Sequence, residues 1–204
     1  DVHLPFMSLP HVLGIGDGDH LAGAVPYLSP PATARITVPD GEGPVIGLVW
    51  SGRQSPGNLR RSCPAQALAP LLALPGLRFV SAQVDASAED LALLAAHGVT
   101  TPTDDIRDFG DLAGLLAGLD LLLTIDSAPA HLAGAMGLPV WTMLAHGADW
   151  RWFLDRADSP WYPTMRLFRQ RREGDWPGLV EDVAAALTRF PWLVTPAKAS
   201  SSRG

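Results

Sequence analysis

The sequence predicts an α/β domain built on a doubly wound parallel sheet. Three observations predict it. Continuous apolar runs at Val45 to Trp50 (VIGLVW), Asp120 to Ile125 (DLLLTI) and Leu138 to Ala145 (LPVWTMLA) are bounded by turn residues, the pattern of strands buried on both faces. Helical stretches with recognisable caps lie between the runs. The alternation strand, helix, strand, helix is satisfied by a parallel sheet with helices on both faces. The connections suit a Rossmann-like order 3-2-1-4-5-6, in which ligands bind at the carboxyl ends of the strands where the order reverses.

Each element has its own signal. Asp1 to Leu28 is rich in Pro, Gly, His and Asp without a period, and Val25 to Leu28 is a short extended piece. Ser29 to Gly43 reads as a linker punctuated by Pro30, Pro31, Pro39, Gly41 and Gly43. Val45 to Trp50 is the first strand. Ser51 to Cys63 (SGRQSPGNLRRSC) is a polar loop, and Pro64 suits the first turn of a helix running to about Leu74. Leu77 to Val84 is the second strand. Ser87 opens a helix with Glu89 and Asp90 in its first turn, favourable for the helix dipole, and Gly98 closes it. Val99 to Pro102 is a short third strand. Asp108 caps a helix to Leu119. The fourth strand ends at Ile125, a helix follows from Ala128 to Met136, and Leu138 to Ala145 is the fifth strand. His146 to Thr164 is a long aromatic loop, Met165 to Phe168 a last short strand, and Trp176 to Phe190 the final helix. Thr195 to Gly204 has the composition of a disordered tail.

Bulk properties narrow the function. The 204 residues carry 15 Lys and Arg against 21 Asp and Glu, a balance of 15 − 21 = −6, which argues against a nucleic-acid partner held by a basic surface. Lys198 is the sole lysine, so a phosphate-binding cation in the domain must be an arginine. Cys63 is the sole cysteine, which forbids an intrachain disulfide and fits a reducing cytoplasm. No apolar run approaches the length of a membrane span, and no signal peptide is visible. The first residue is not Met and Asp1 to Pro10 begins mid-pattern, so the sequence reads as a piece of a longer protein. The expected organisation is residues 1–43 as the remnant of a preceding domain plus linker, 44–190 as the Rossmann-like domain, and 191–204 as the tail.

The sharpest motif is Asp126-Ser127-Ala128-Pro129-Ala130-His131, which joins a buried strand directly to a helix. Free amides and the dipole at such a helix start suit a phosphate, and the small residues Ser127 and Ala128 let an anion approach the backbone. His131, one turn on, can point back to the same crevice. The plainer alternative is that Asp126 and Ser127 cap the helix and His131 lies on the surface. The strand order places the Ser51 to Cys63 loop opposite this turn. Ser51, Gly52 and Gly57 allow close backbone approach there, and Arg53, Arg60 and Arg61 supply positive charge. Against this stands a merely solvated loop. In the aromatic loop, His146 and Trp150 sit at the same sheet edge. Aromatic faces there stack on a base or sugar, or simply anchor the loop. Gly14 to Asp19 has the glycine spacing of a dinucleotide loop but lacks a preceding strand and a following helix. No residues have zinc-ligand spacing, and no carboxylate is placed as a general base.

Beyond these readings, the run TIDSAPAHLAGAMGLPVWTML resembles the motif of heptosyltransferase-type enzymes, glycosyltransferase family 9, which adopt the GT-B fold. The similarity extends through VIGLVWSG, RRSCP, LRFVSAQ, DFGDLAGLLAGLDLLLTIDSAPAHLAGAMG and ADWRWFLDRADSPWYPTMRLFRQ. It is closest to the glycosyltransferase domains that follow tetratricopeptide repeats in bacterial proteins. SLPHVLG and VPYL resemble the end of the N-terminal domain of such proteins. The resemblance covers nearly all of Pro44 to Phe190. It implies a metal-independent glycosyltransferase without a cofactor, with a nucleoside-diphosphate sugar as donor and a protein or glycan as acceptor. The chain would be the C-terminal, donor-binding half of the GT-B fold. The amides of Ser127 and Ala128 would hold the diphosphate, Asp126 would fix the turn, and His131 would assist at the phosphates or sugar. Family members often carry a lysine in the loop after the first strand of this domain. Here Arg60 or Arg61 would replace it, with a fork geometry suited to phosphate. The catalytic base would lie in the N-terminal domain, leaving this chain inactive alone. A sugar-nucleotide epimerase relative and a non-catalytic interaction domain stay open as alternatives.

Overall fold

The computed structural model describes residues 3–5, 8–14, 25–34, 36, 38–52 and 60–190. Arg53, Gly57, most of the Gly14 to Asp19 stretch and the tail from 191 onward lie outside them. Five strands form one sheet: β1 (Val45–Val49), β2 (Arg78–Ser81), β3 (Leu121–Ile125), β4 (Val140–Leu144) and β5 (Met165–Arg169). The order is β2-β1-β3-β4-β5, and every pairing is parallel. The expected third strand survives as a single parallel bridge from Thr100 to Val80, outside β2. With that bridge counted, the order is the one the sequence predicts. The strand stays short because only Thr100 pairs and Pro102 cannot donate a hydrogen bond.

The helices are α1 (Leu9–Val12), α2 (Ala69–Leu72, entered through a 3-10 turn at Ala65–Leu68), α3 (Ala88–Ala96), α4 (Phe109–Ala117), α5 (Ala128–Ala135) and α6 (Trp176–Leu187). The one-turn α1 is not foreseen, because four residues carry no readable period. Caps are as expected for two helices: the Ser87 hydroxyl accepts from the Asp90 amide, and the Asp108 carboxylate accepts from Gly110 and Asp111. Gly137 leaves α5 at φ 70°, where a side chain would be strained.

Period-two alternation along β3 divides the core. Leu121, Leu123 and Ile125 pack with Leu68, Leu71, Leu94 and the buried face of α6, while Leu122 packs with α4, α5, Trp152 and Tyr162 on the other face. Leu121, Leu122, Leu123 and Ile125 are each at most 1% exposed. Such burial contributes about 1.5–3 kcal/mol per side chain relative to water, an upper figure given a partly collapsed unfolded chain. This double-sided burial explains why the strands read as unbroken apolar runs. It also fixes the carboxyl ends of β1 and β3 side by side, where the Asp126 turn and the loop after β1 meet. No described helix is long and apolar enough to cross a membrane.

Candidate anion site at the carboxyl edge of the sheet

The chain leaves β3 at Ile125 and enters α5 two residues later. Thr124, fully buried, donates from Oγ1 to the Ile125 carbonyl and lies 2.9 Å from the Ser127 hydroxyl. The Ser127 side chain is therefore turned back toward the strand and makes no cap bond to the helix. Pro129, in the first turn of α5, has no N–H to satisfy. Among the described residues no acceptor is recorded for the Ser127 or Ala128 amide. Capping by side chains, the plainer sequence reading, is thus not what this turn does. Two amides are left at the positive end of the helix dipole.

Asp126 is also not a cap. Its carboxylate, 9% exposed, accepts from Arg61 Nη1 at 3.2 Å. The bond spans 65 residues and joins the loop after β1 to the turn after β3. The crossover topology requires this approach, and the Arg61–Asp126 pair is its direct expression. The guanidinium, 42% exposed, is held in front of the helix start by a carboxylate that the helix dipole itself favours. Arg60 goes elsewhere: it stands 3.9 Å from Glu173, with both side chains well exposed.

The amides of Ser51 and Gly52 are committed internally. Gln83, buried at the end of β2, accepts from the Trp50 and Ser51 amides through one oxygen at 3.1 and 2.9 Å. Gly52 donates to the Ser62 hydroxyl at 3.1 Å. These bonds, with Cys63 donating to the Trp50 carbonyl, close the loop on itself. Gln170 plays the matching part at the other end of the sheet. Its oxygen accepts from the His146 and Gly174 amides, so His146 is tied by its backbone while its side chain is exposed.

His131 is half-buried rather than on the surface. Its ring stacks on the fully buried Trp152 with centroids 5.1 Å apart, and its Nδ1 lies 3.1 Å from the Tyr162 hydroxyl. Burial lowers its pKa, opposed by Asp126, furthered by Arg151 and opposed again by Asp149, a balance that favours the neutral imidazole. The rest of the aromatic loop surrounds this ring. Arg151 pairs with Asp149 at 2.7 Å and lies over the Trp150 indole, which is 56% exposed and meets Trp161 edge-on. Trp161 Nε1 donates to the Arg151 carbonyl at 2.7 Å. The loop is thus both an anchored layer of the core, through Trp152 and Tyr162, and a rim, through Trp150. Sequence reasoning did not single out Tyr162 as the partner of His131, because no local period marks it.

A groove lined by Pro31, Thr33, Arg107, Phe109 and Asp111 opens at the amino end of α4. There the Asp108 carboxylate accepts from the Gly110 and Asp111 amides, so those two helix-start amides are not open to an anion. Among the described residues no group of three or more His, Cys, Asp and Glu is gathered as a metal site.

No protein-family model matches the chain. It is similar to protein FlbA of Caulobacter vibrioides, 33% identical over 156 residues, covering 74% of this chain and 26% of FlbA. The fold is that of ADP-heptose LPS heptosyltransferase II of E. coli, at a TM-score of 0.51 and 17% identity over 74% of this chain and 48% of that one. It is equally that of a family 9 glycosyl transferase of Veillonella parvula, at a TM-score of 0.51 and 18% identity over 75% and 47%. The chain spans about a quarter of FlbA and about half of each glycosyltransferase.

Proposed function

We propose that this domain binds the donor of a glycosyltransferase, a nucleoside-diphosphate sugar, at the carboxyl edge of its sheet. The observation that carries the proposal is the juxtaposition, at the reversal of strand order, of two helix-start amides with Arg61, in the helix that carries His131. The fold shared with two glycosyltransferases supports the same reading. In glycosyl transfer the bond from the sugar to the diphosphate breaks while an acceptor oxygen bonds to the sugar. Negative charge then grows on the leaving phosphate. Amides at a helix start, the dipole and a guanidinium are fixed charges that stabilise it without reorganising. Asp126 keeps Arg61 in place before the ligand arrives. A diphosphate at the amides would share that guanidinium with the carboxylate.

The acceptor hydroxyl must also lose a proton. We assign that task to a base outside residues 44–190, in a preceding domain of which residues 1–43 would be the end. On this reading the chain alone binds donor without transferring sugar, and a repeat region precedes the enzyme in the cytoplasmic protein.

Titration of the chain with UDP, GDP, ADP and CMP, beside an Arg61→Ala/His131→Ala double variant, tests the reading. Saturable binding of one nucleotide, weakened about tenfold or more in the folded variant, is the expected result, since each lost charge-assisted bond costs about 1.5–3 kcal/mol. Absence of binding by both this chain and the longer protein that contains it would overturn the donor-site assignment.

A further inference from the structure

β5 presents alternate residues to one face of the sheet. Met165 and Leu167 enter the core that holds Trp152 and Tyr162, and Arg169 is the next residue on that face. Its guanidinium reaches across the loop that carries Trp152. Nε donates to the Arg156 carbonyl at 3.1 Å and Nη2 donates to the Trp152 carbonyl. The stretch 153–155 is therefore tied at both ends and turns outward between the ties, with Leu154 81% exposed. The turn is made at Phe153. Its φ of 56° and ψ of −168° belong to a region that glycine enters freely and a bulky side chain rarely does. Nothing in the residue favours that conformation, and its neighbours hold it from outside. Arg156 lies over the Phe153 ring at 5.7 Å and is fixed to Asp158 by bonds of 2.9 and 3.0 Å. Just beyond, the Leu167 amide donates to the Ala157 carbonyl at 2.8 Å.

The residue just before this turn is Trp152, on whose ring His131 stacks at 5.1 Å and an interplanar angle of 18°. The indole N–H is buried without a hydrogen-bond partner, so no polar contact of the ring itself sets its orientation. Trp152 is fixed through its backbone: its amide donates to the Asp149 carbonyl at 3.0 Å, and its carbonyl accepts from Arg169. We propose that Arg169 is a positioning residue for the candidate site. By joining the carbonyls of Trp152 and Arg156 it offsets the strain at Phe153 and keeps the Trp152 indole flat against His131. Two carbonyls are taken by two nitrogens of one rigid guanidinium, a fork that a lysine ammonium does not offer. Without that grip Phe153 returns to negative φ, the peptide between Trp152 and Phe153 rotates, and the indole leaves the imidazole. The effect on ligand binding rests on the donor-site reading above. The placement of the ring does not.

The test reads the stack and the strain separately. Proton NMR follows the His131 ring, assigned by the signals lost in His131→Gln. A ring stacked on an indole has its protons displaced upfield, and in Arg169→Lys and Arg169→Ala they should move toward the positions of the exposed His97 and His146, further in the alanine variant. Arg166→Ala removes an arginine of the same strand that packs on Trp141 and Phe168 instead, and should leave them in place. For the strain, Phe153→Gly and Phe153→Ala both lose the ring, and only glycine accepts the positive φ. The glycine variant should melt about 2–4 °C above the alanine variant, and the gap should close when Arg169→Ala is added to both. The first of these comparisons stands whether or not Arg169→Ala folds. His131 signals unmoved in both Arg169 variants, or moved equally in Arg166→Ala, would overturn the proposal, as would Phe153→Ala melting at or above Phe153→Gly. Where one of UDP, GDP, ADP and CMP binds, its affinity should fall about three- to tenfold in Arg169→Lys, the equivalent of one neutral hydrogen bond at His131, and an unchanged affinity would overturn the role at the site. Where neither this chain nor the longer protein binds any of the four, the donor-site reading fails, and the NMR and melting results still decide what Arg169 does.

Discussion

Replacing Gly134 with alanine puts the packing around His131 under direct strain. In an ordinary exposed helix the change would stabilise by about 1 kcal/mol, because alanine loses less backbone freedom. Here the new Cβ would stand 2.4 Å from Tyr162 Cγ and 2.6 and 2.9 Å from the two ring carbons beside it. Comfortable carbon contacts are about 3.5–4.0 Å, so the ring must retreat by roughly 1 Å. Overpacking of this kind costs about 1–3 kcal/mol. The retreat also breaks the Tyr162–His131 bond, which adds about 0.5–1.5 kcal/mol. The balance is a loss of about 2 kcal/mol, or roughly 4–8 °C in Tm for a domain of this size. Thermal melts and urea titrations of Gly134→Ala against wild type measure it, with an unchanged urea dependence expected if only the native state is affected. A Tm equal to or above wild type would refute the argument, since alanine would then be acting as it does in any helix.

Other consequences concern the buried groups. Cys63 is 1% exposed and its thiol is pushed up to about 12 by burial, so at pH 8 it should resist iodoacetamide in the folded protein by at least about a thousandfold and react at once in urea. The same shift has a sign in stability. Above pH 9 the unfolded chain releases the Cys63 proton and the native state keeps it, so stability is whole below pH 9 and falls as pH rises toward 12, by about 1.4 kcal/mol per pH unit for this group. The raised Tyr162 pKa adds the same trend above pH 10, and Cys63→Ala should flatten the earlier part of the curve in melts between pH 8 and 10.5. Trp152→Phe should cost much less than the roughly 3–5 kcal/mol of Trp152→Ala, because the indole N–H is buried without a hydrogen-bond partner and phenylalanine removes that unmet donor while keeping a ring under His131. Equal losses in the two variants, measured by chemical denaturation, would contradict this.

The sheet was legible in the sequence because strands covered on both faces are apolar almost throughout, and VIGLVW and LLLTI are, Thr124 apart. Strand order followed from crossover rules, which act on connection type rather than on detail. Where a segment offered a single pairing residue, as at Thr100, those rules could not say how much strand would form. The meeting of the Ser51 to Cys63 loop with the turn after β3 was legible for the same topological reason. The identity of the partners was not. Arg60 and Arg61 are neighbours in sequence, and only the tertiary path decides that one reaches Asp126 and the other Glu173. Ser127 had the chemistry of a cap, but Thr124 competes for its hydroxyl from within the buried strand. Tyr162 lies 31 residues beyond His131 in a loop without a period, and nothing local announces that the two side chains meet.

The way the sheet ends at its two sides has a bearing on how the protein keeps to itself. Beyond β2, the Ser81 amide donates to Thr100 and Thr100 donates to the Phe79 carbonyl. Beyond β5, the Leu167 amide donates to Ala157, Asp158 bridges Arg166, and Arg169 reaches the carbonyls of Trp152 and Arg156. Each border strand is therefore masked by a short irregular stretch of its own chain rather than left with a row of open amides and carbonyls. A foreign strand seeking to lengthen this sheet, the first step of amyloid-like growth, would have to peel one of those stretches away before it could begin.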